Sequence, residues 1–156
     1  MDTIKVAIDK IHTYEDYAKL PEGAPYQLIG GELVMTPSPA TYHQKVSKNL
    51  EYLLVTYVEK KYLLGEIYDA PIDIYFENTE TYQPDIIFIS KDRLDIIKEN
   101  KVEGPPDLVV EILSPTTAYY DLRHQNDIYE KHGVKEYWVV DPHEKCIEIY
   151  ENKSNE

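Results

Sequence analysis

Asp85 and Glu111 are carboxylates set in apolar, β-branched surroundings, Pro84-Asp85-Ile86-Ile87-Phe88-Ile89 and Asp107-Leu108-Val109-Val110-Glu111-Ile112-Leu113. A charge carried into such a strand must be paired, neutralised or bound to a cation. One reading is structural, with Glu111 protonated or ion-paired. The other is a metal site, which requires a second carboxylate to converge on the same point. Asp85 supplies it if the two strands are neighbours. A Mg²⁺ ion held by two carboxylates keeps room for water and phosphate, polarises a phosphoryl oxygen and activates water. Phosphodiester hydrolysis is the chemistry such a pair supports, with the Ile112 carbonyl as a candidate third oxygen.

Further segments align with this pair. They are Tyr26-Gln27-Leu28-Ile29-Gly30-Gly31-Glu32-Leu33, Pro37-Ser38-Pro39 followed by His43, Gln83-Pro84-Asp85, Pro106-Asp107 through Ser114-Pro115, and Gly133-Val134-Lys135-Glu136-Tyr137-Trp138-Val139-Val140-Asp141-Pro142. Together, and in this order over nearly the whole chain, they resemble the PD-(D/E)XK nuclease superfamily. Within it they resemble the branch of restriction-endonuclease-like proteins formerly grouped as a bacterial domain of unknown function. The resemblance implies a DNA endonuclease dependent on Mg²⁺ or Mn²⁺, with Asp85 and Glu111 as metal ligands and Glu32 as an auxiliary carboxylate. DNA is the implied partner. A homodimer is expected, because two sites related by a two-fold axis are the simplest way to cut both strands.

In the superfamily a Lys follows the strand carboxylate by two residues, on the same face. Here that position is Leu113. In the resembled branch the Lys comes from the next helix, in the register Asp-x-x-x-Lys-x-x-x-Tyr. This chain has Asp121 and Tyr129 in place, but Gln125 between them. Gln125, Ile128, Tyr129 and His132 share one helical face, so the amide can point toward Glu111. It can orient water, yet it neither carries the charge nor takes the proton, and Arg123 and His124 are the neighbouring candidates to compensate. Two readings follow: an endonuclease weakened at Gln125, or a catalytically silent nuclease-fold module that serves in binding or assembly.

Other polar residues have bland readings beside the functional ones. Glu32 by itself is an exposed strand-end carboxylate. His43, in the first turn of a helix, is either a neutral hydrogen-bonding group facing a site or a surface histidine. Asp107 shares a strand face with Glu111 but stands about 13 Å away at some 3.3 Å per residue, too far to share an ion. A turn or capping role beside Pro106 suits it. Cys146, the single cysteine, makes no internal disulfide and fits a structural place in an alternating strand.

The elements that must position these groups are legible from periodicity. Thr13 and Asp16 mark a short helix through Leu20, and Gly30-Gly31 joins two strands as a hairpin. Val46, Leu50, Leu53, Leu54, Tyr57 and Val58 recur at helical spacing over 41–63, with Lys45, Lys48, Glu51, Glu59 and Lys60 on the opposite face. Strands over 66–68, 72–76 and 85–89 read as an antiparallel meander, followed by a short helix over 91–98. A helix is expected from Ser114 to His132, then strands Glu136–Asp141 and Cys146–Tyr150, the last at an edge. The fold class is α/β, a restriction-endonuclease-like mixed β-sheet flanked by helices.

With 156 residues the chain is one domain, 1–156, of which 1–12 reads as a loosely attached arm. No apolar run reaches the roughly 20 residues of a membrane span, and no signal-peptide pattern opens the sequence, so a cytoplasmic location is expected. The formal net charge of −13 opposes a broad phosphate-gripping surface. Any basic face must be local, supplied by a partner, or absent.

Overall fold

The computed structural model describes residues 10–36, 38–115 and 119–153. Residues 1–9 of the expected arm, Pro37, the helix start at 116–118 and the last three residues of the tail lie outside them. Among the described residues, ten strands form two five-stranded sheets. The first contains β1 (Tyr26–Ile29), β2 (Glu32–Met35), β4 (Ile74–Glu77), β5 (Glu80–Tyr82) and β7 (Val102–Glu103) in the order β2-β1-β5-β4-β7. The second contains β3 (Gly65–Asp69), β6 (Ile86–Ser90), β8 (Leu108–Ile112), β9 (Glu136–Asp141) and β10 (Cys146–Glu151) in the order β10-β9-β8-β6-β3.

The α/β class is as expected, but one sheet has become two and the meander is split. Strand β3 pairs with β6, from Gly65↔Ser90 to Asp69↔Ile86, while β4 pairs with β5 in the other sheet. Pro71, which has no amide to donate, stands where the chain leaves β3. The return crossing occupies only Gln83-Pro84-Asp85, between β5 and β6.

Helices cover the second sheet on both faces. Helix α1 (Tyr14–Ala18) opens with Asp16 accepting from the Thr13 amide at 3.0 Å. Helix α2 (Thr41–Val55) continues through a π-helical turn, Thr56–Lys61, and α3 spans Tyr119–His132. A 3₁₀ turn occupies Lys91–Ile96 where a short helix was expected. Alternation along β6 and β8 divides the core in two. Ile86, Val110 and Ile112 pack with Leu50, Leu54 and Val58 on the α2 side, and Ile87, Ile89 and Val109 pack with Ile74, Phe76, Tyr82 and Tyr129 on the other. Gly30 and Gly31 turn β1 into β2 at φ of +58° and +79°, values that fit a tight hairpin and that a side chain would strain.

Asp107, expected in a turn or capping role beside Pro106, is instead tied to β6 and to two cations. It is buried, accepts from the Ser90 amide at 2.7 Å, and pairs with Arg93 at 3.1 Å and Lys135 at 3.0 Å. Burial raises its pKa, but the Ser90 amide, Lys135 and Arg93 outweigh that, and the net shift is downward. Asp107→Asn is expected to cost about 2–3 kcal/mol, a fall in Tm of roughly 5–10 °C. A carboxyl held below its unfolded pKa stabilises fully above the ordinary value of 3.8. That stability is lost as pH falls below it through the folded pKa, so thermal melts should show the gap between wild type and variant closing in that acid range.

Candidate active site

Side-chain alternation brings Asp85 and Glu111 to one end of the second sheet, on one face. Ile87 and Ile89 point to the α3 side of β6, so Asp85 at its mouth shares their parity. Val109 points the same way on β8, and Glu111 stands two residues on. Antiparallel pairing of Ile86 with Val110 makes the two acids neighbours across the ladder. They lie close enough for a hydrogen bond between carboxyls, which requires a shared proton.

Each carboxylate is held from behind. The Ile112 amide donates to Asp85 Oδ2 at 2.7 Å, and His43 Nε2 lies 3.3 Å from Asp85 Oδ1. The Tyr129 hydroxyl, from α3, donates to Glu111 Oε1 at 3.3 Å. Burial first, and then the charge of Asp85, push the Glu111 carboxyl well above the usual range. The bond to Asp85 raises the His43 pKa against the opposing effect of burial. Two carboxyls that cannot both be charged at low cost need a proton or a cation between them, and that donor set fits a divalent ion. Among the described residues no group of three or more His, Cys, Asp or Glu is arranged to hold a metal. The fit is therefore that of a two-carboxylate site, in which most positions belong to water and phosphate.

The pair opens into a cleft of about 1650 Å³ lined by both sheets and by α2 and α3. Gln125 is buried at 4% exposure and lines the same cleft, where its helical face was expected to carry it. The first sheet contributes a polar wall. Tyr17 OH and Gln83 Nε2 both donate to Asp73 Oδ1, at 2.7 and 2.8 Å, and the Gln83 amide donates to Gln27 Oε1 at 2.8 Å. Lys45 and Lys48 stand exposed at the lip, beside the N-terminus of α2.

Other candidates fall elsewhere. Glu32 is exposed at the start of β2 and does not line the cleft. His124 Nε2 lies 2.8 Å from Glu80 Oε1, a buried carboxylate that also accepts from the Gly30 amide at 2.9 Å and from Tyr82 OH. Engaged with the first sheet, it does not compensate for Gln125. Arg123 is exposed and lines no part of the cleft. Asp107 sits at the far end of β6, against Ser90.

Glu51 corrects a different expectation, since it belongs to the cleft wall and not to a solvated face. Burial first, and then Asp69 and Glu59, raise its pKa, and Asp69 lines the cleft with it. The signal was in the spacing. His43, Ser47 and Glu51 stand four residues apart and all three line the cleft.

Comparison with known proteins agrees with this fold. A solved structure described as a putative nuclease belonging to DUF820, from Anabaena variabilis ATCC 29413, superposes with a TM-score of 0.78 at 22% identity. The match covers 91% of this chain and 80% of that one, and at this identity it shows a shared fold. A search of curated proteins returns no match. The family model "Uma2: Putative restriction endonuclease" matches residues 14–156. By that match over most of its length, the chain belongs to the Uma2 restriction-endonuclease family.

Proposed function

We propose that the chain is a metal-dependent DNA endonuclease of low intrinsic rate, with Asp85 and Glu111 as the ligands of Mg²⁺ or Mn²⁺. The observation that carries this reading is the carboxyl pair itself, half-buried at a strand end and held by Ile112, His43 and Tyr129. A divalent ion there would polarise a phosphoryl oxygen and lower the pKa of a water molecule.

The protein's own groups supply the rest. His43 and the Ile112 amide fix the orientation of Asp85, and the Tyr129 hydroxyl fixes that of Glu111. The Gln125 amide is placed to hold the attacking water by hydrogen bonding, without accepting its proton. Lys45, Lys48 and the amides at the start of α2 meet the phosphate backbone along the cleft. A homodimer would present two such clefts to the two strands of a duplex.

Isothermal titration with Mg²⁺ and Mn²⁺, paired with a plasmid-nicking assay, tests the reading. Saturable ion binding at one site per chain and nicking that EDTA abolishes are the expected results. Ion binding with no nicking, in wild type and in Gln125→Lys alike, would favour the silent binding module. No binding at all would end the metal reading.

A further inference from the structure

Helix α2 covers only part of the second sheet. Its Glu51 side is turned to β3, where Asp69 meets Glu51 and the Ile67 amide donates to Glu59. Its other flank faces the β9–β10 edge, where Trp138 and Val140 of β9 still pack in the α2-side cluster but β10 is exposed throughout. Ile147 pairs with Val140 and Ile149 with Trp138, so both isoleucines share the α2 side of the sheet. They are 47% and 58% exposed. Leu53 and Tyr57, on the facing flank of α2, are 63% and 54% exposed, and Tyr42 in the first turn is 57% exposed. Strand β10 is bonded on one side only, to β9, and every residue in it is exposed.

We infer that this face, made of the outer flank of α2 and the α2 side of β9–β10, is where a second copy of the chain docks about a two-fold axis. The helix flank of each protomer lies over the strands of the other. Area and charge both point to a second copy. Five large apolar side chains, half to two-thirds exposed, offer on the order of 500 Å², the scale at which exposed patches mark contact surfaces. Their charged rim extends the face toward the roughly 800 Å² per partner that a stable pair requires. The rim is also self-complementary. Lys60 and Lys61 close the helix end, with Lys61 stacked over Tyr62, while Glu136 and Glu151 face the same side from the paired strands. In an isologous contact each copy's lysines meet the other's carboxylates, which offsets repulsion between two chains of net charge −13.

The contact stands apart from the nuclease chemistry, and its test reads mass alone. Multi-angle light scattering and sedimentation equilibrium over a concentration series should give twice the 18.2 kDa of one chain. Leu53→Asp and Ile149→Asp replace exposed side chains on the two halves of the face. Each should weaken pairing at least about 30-fold while leaving the circular dichroism spectrum unchanged. Ile11→Asp, at an equally exposed apolar residue elsewhere, should pair as the wild type does. A wild type that stays at the mass of one chain throughout overturns the inference, as does undiminished pairing in both face variants. Plasmid nicking does not enter the readout, so a failed cleavage assay and a failed dimer are told apart.

Discussion

Glu111→Gln is expected to abolish cleavage and, in the same protein, to raise the melting temperature of the ion-free form. Wild-type Glu111 is a carboxylate whose burial, and then whose proximity to Asp85, oppose its charge. Replacing it by an amide of nearly equal size keeps the Tyr129 contact and removes the second charge. About 1–3 kcal/mol of stability should be gained, or several degrees in Tm. The ion loses one of its two carboxylates, so cleavage should fall by roughly 10³-fold or more. Calorimetry should show Mg²⁺ affinity collapsing in parallel. A variant that is less stable than wild type without ions would mean that Glu111 is a structural acid, and the site would lose its chief support.

Gln125→Lys is expected to act in the opposite sense on rate. The amide at 125 is buried and lines the cleft with both acids. As an ammonium the new side chain would neutralise part of their charge and orient the attacking water, and as the neutral amine it would accept that water's proton. A positioned acid–base group contributes typically 10²- to 10⁴-fold, so nicking should rise by about 10²-fold under saturating Mg²⁺. Single-turnover rates on a supercoiled plasmid measure this directly. Gln125→Leu, of similar volume and without hydrogen bonds, should reduce the wild-type rate about tenfold or more if the amide holds the water. Equal rates in all three proteins would detach Gln125 from the chemistry.

Local pattern carried the elements and faces that alternation or helical spacing dictates. The β-branched run around Glu111 gave a central strand, and Pro84-Asp85 marked the mouth of the strand that proves to be its neighbour. The Gly30-Gly31 turn was equally readable. What escaped depended on long-range pairing. Nothing in the run from Glu66 to Phe76 states that β3 pairs with β6 while β4 turns to another sheet. The polar wall of Tyr17, Gln27, Asp73 and Gln83 was invisible for that reason, since its members come from separate segments joined only by the packing of α1 and the first sheet. Glu51 was misread because a charge on an amphipathic helix was assigned to solvent, although its step of eight from His43 keeps the two on one side. His124 was weighed with Arg123 as a neighbour that could compensate for Gln125 or face solvent, and neither alternative included the buried Glu80 that it meets across the domain.

Asp85 lies on the three-residue passage by which the backbone leaves one layer and enters the other. Its distance from Glu111 is set by β8 of the same layer, but its approach direction is inherited from β5 of the opposite one. Substitutions where Phe76 meets Tyr82, with ring centroids 5.4 Å apart, alter that approach without removing a group bonded to either acid. Variation at Phe76 and Tyr82 therefore reaches the geometry of the carboxyl pair from the opposite layer.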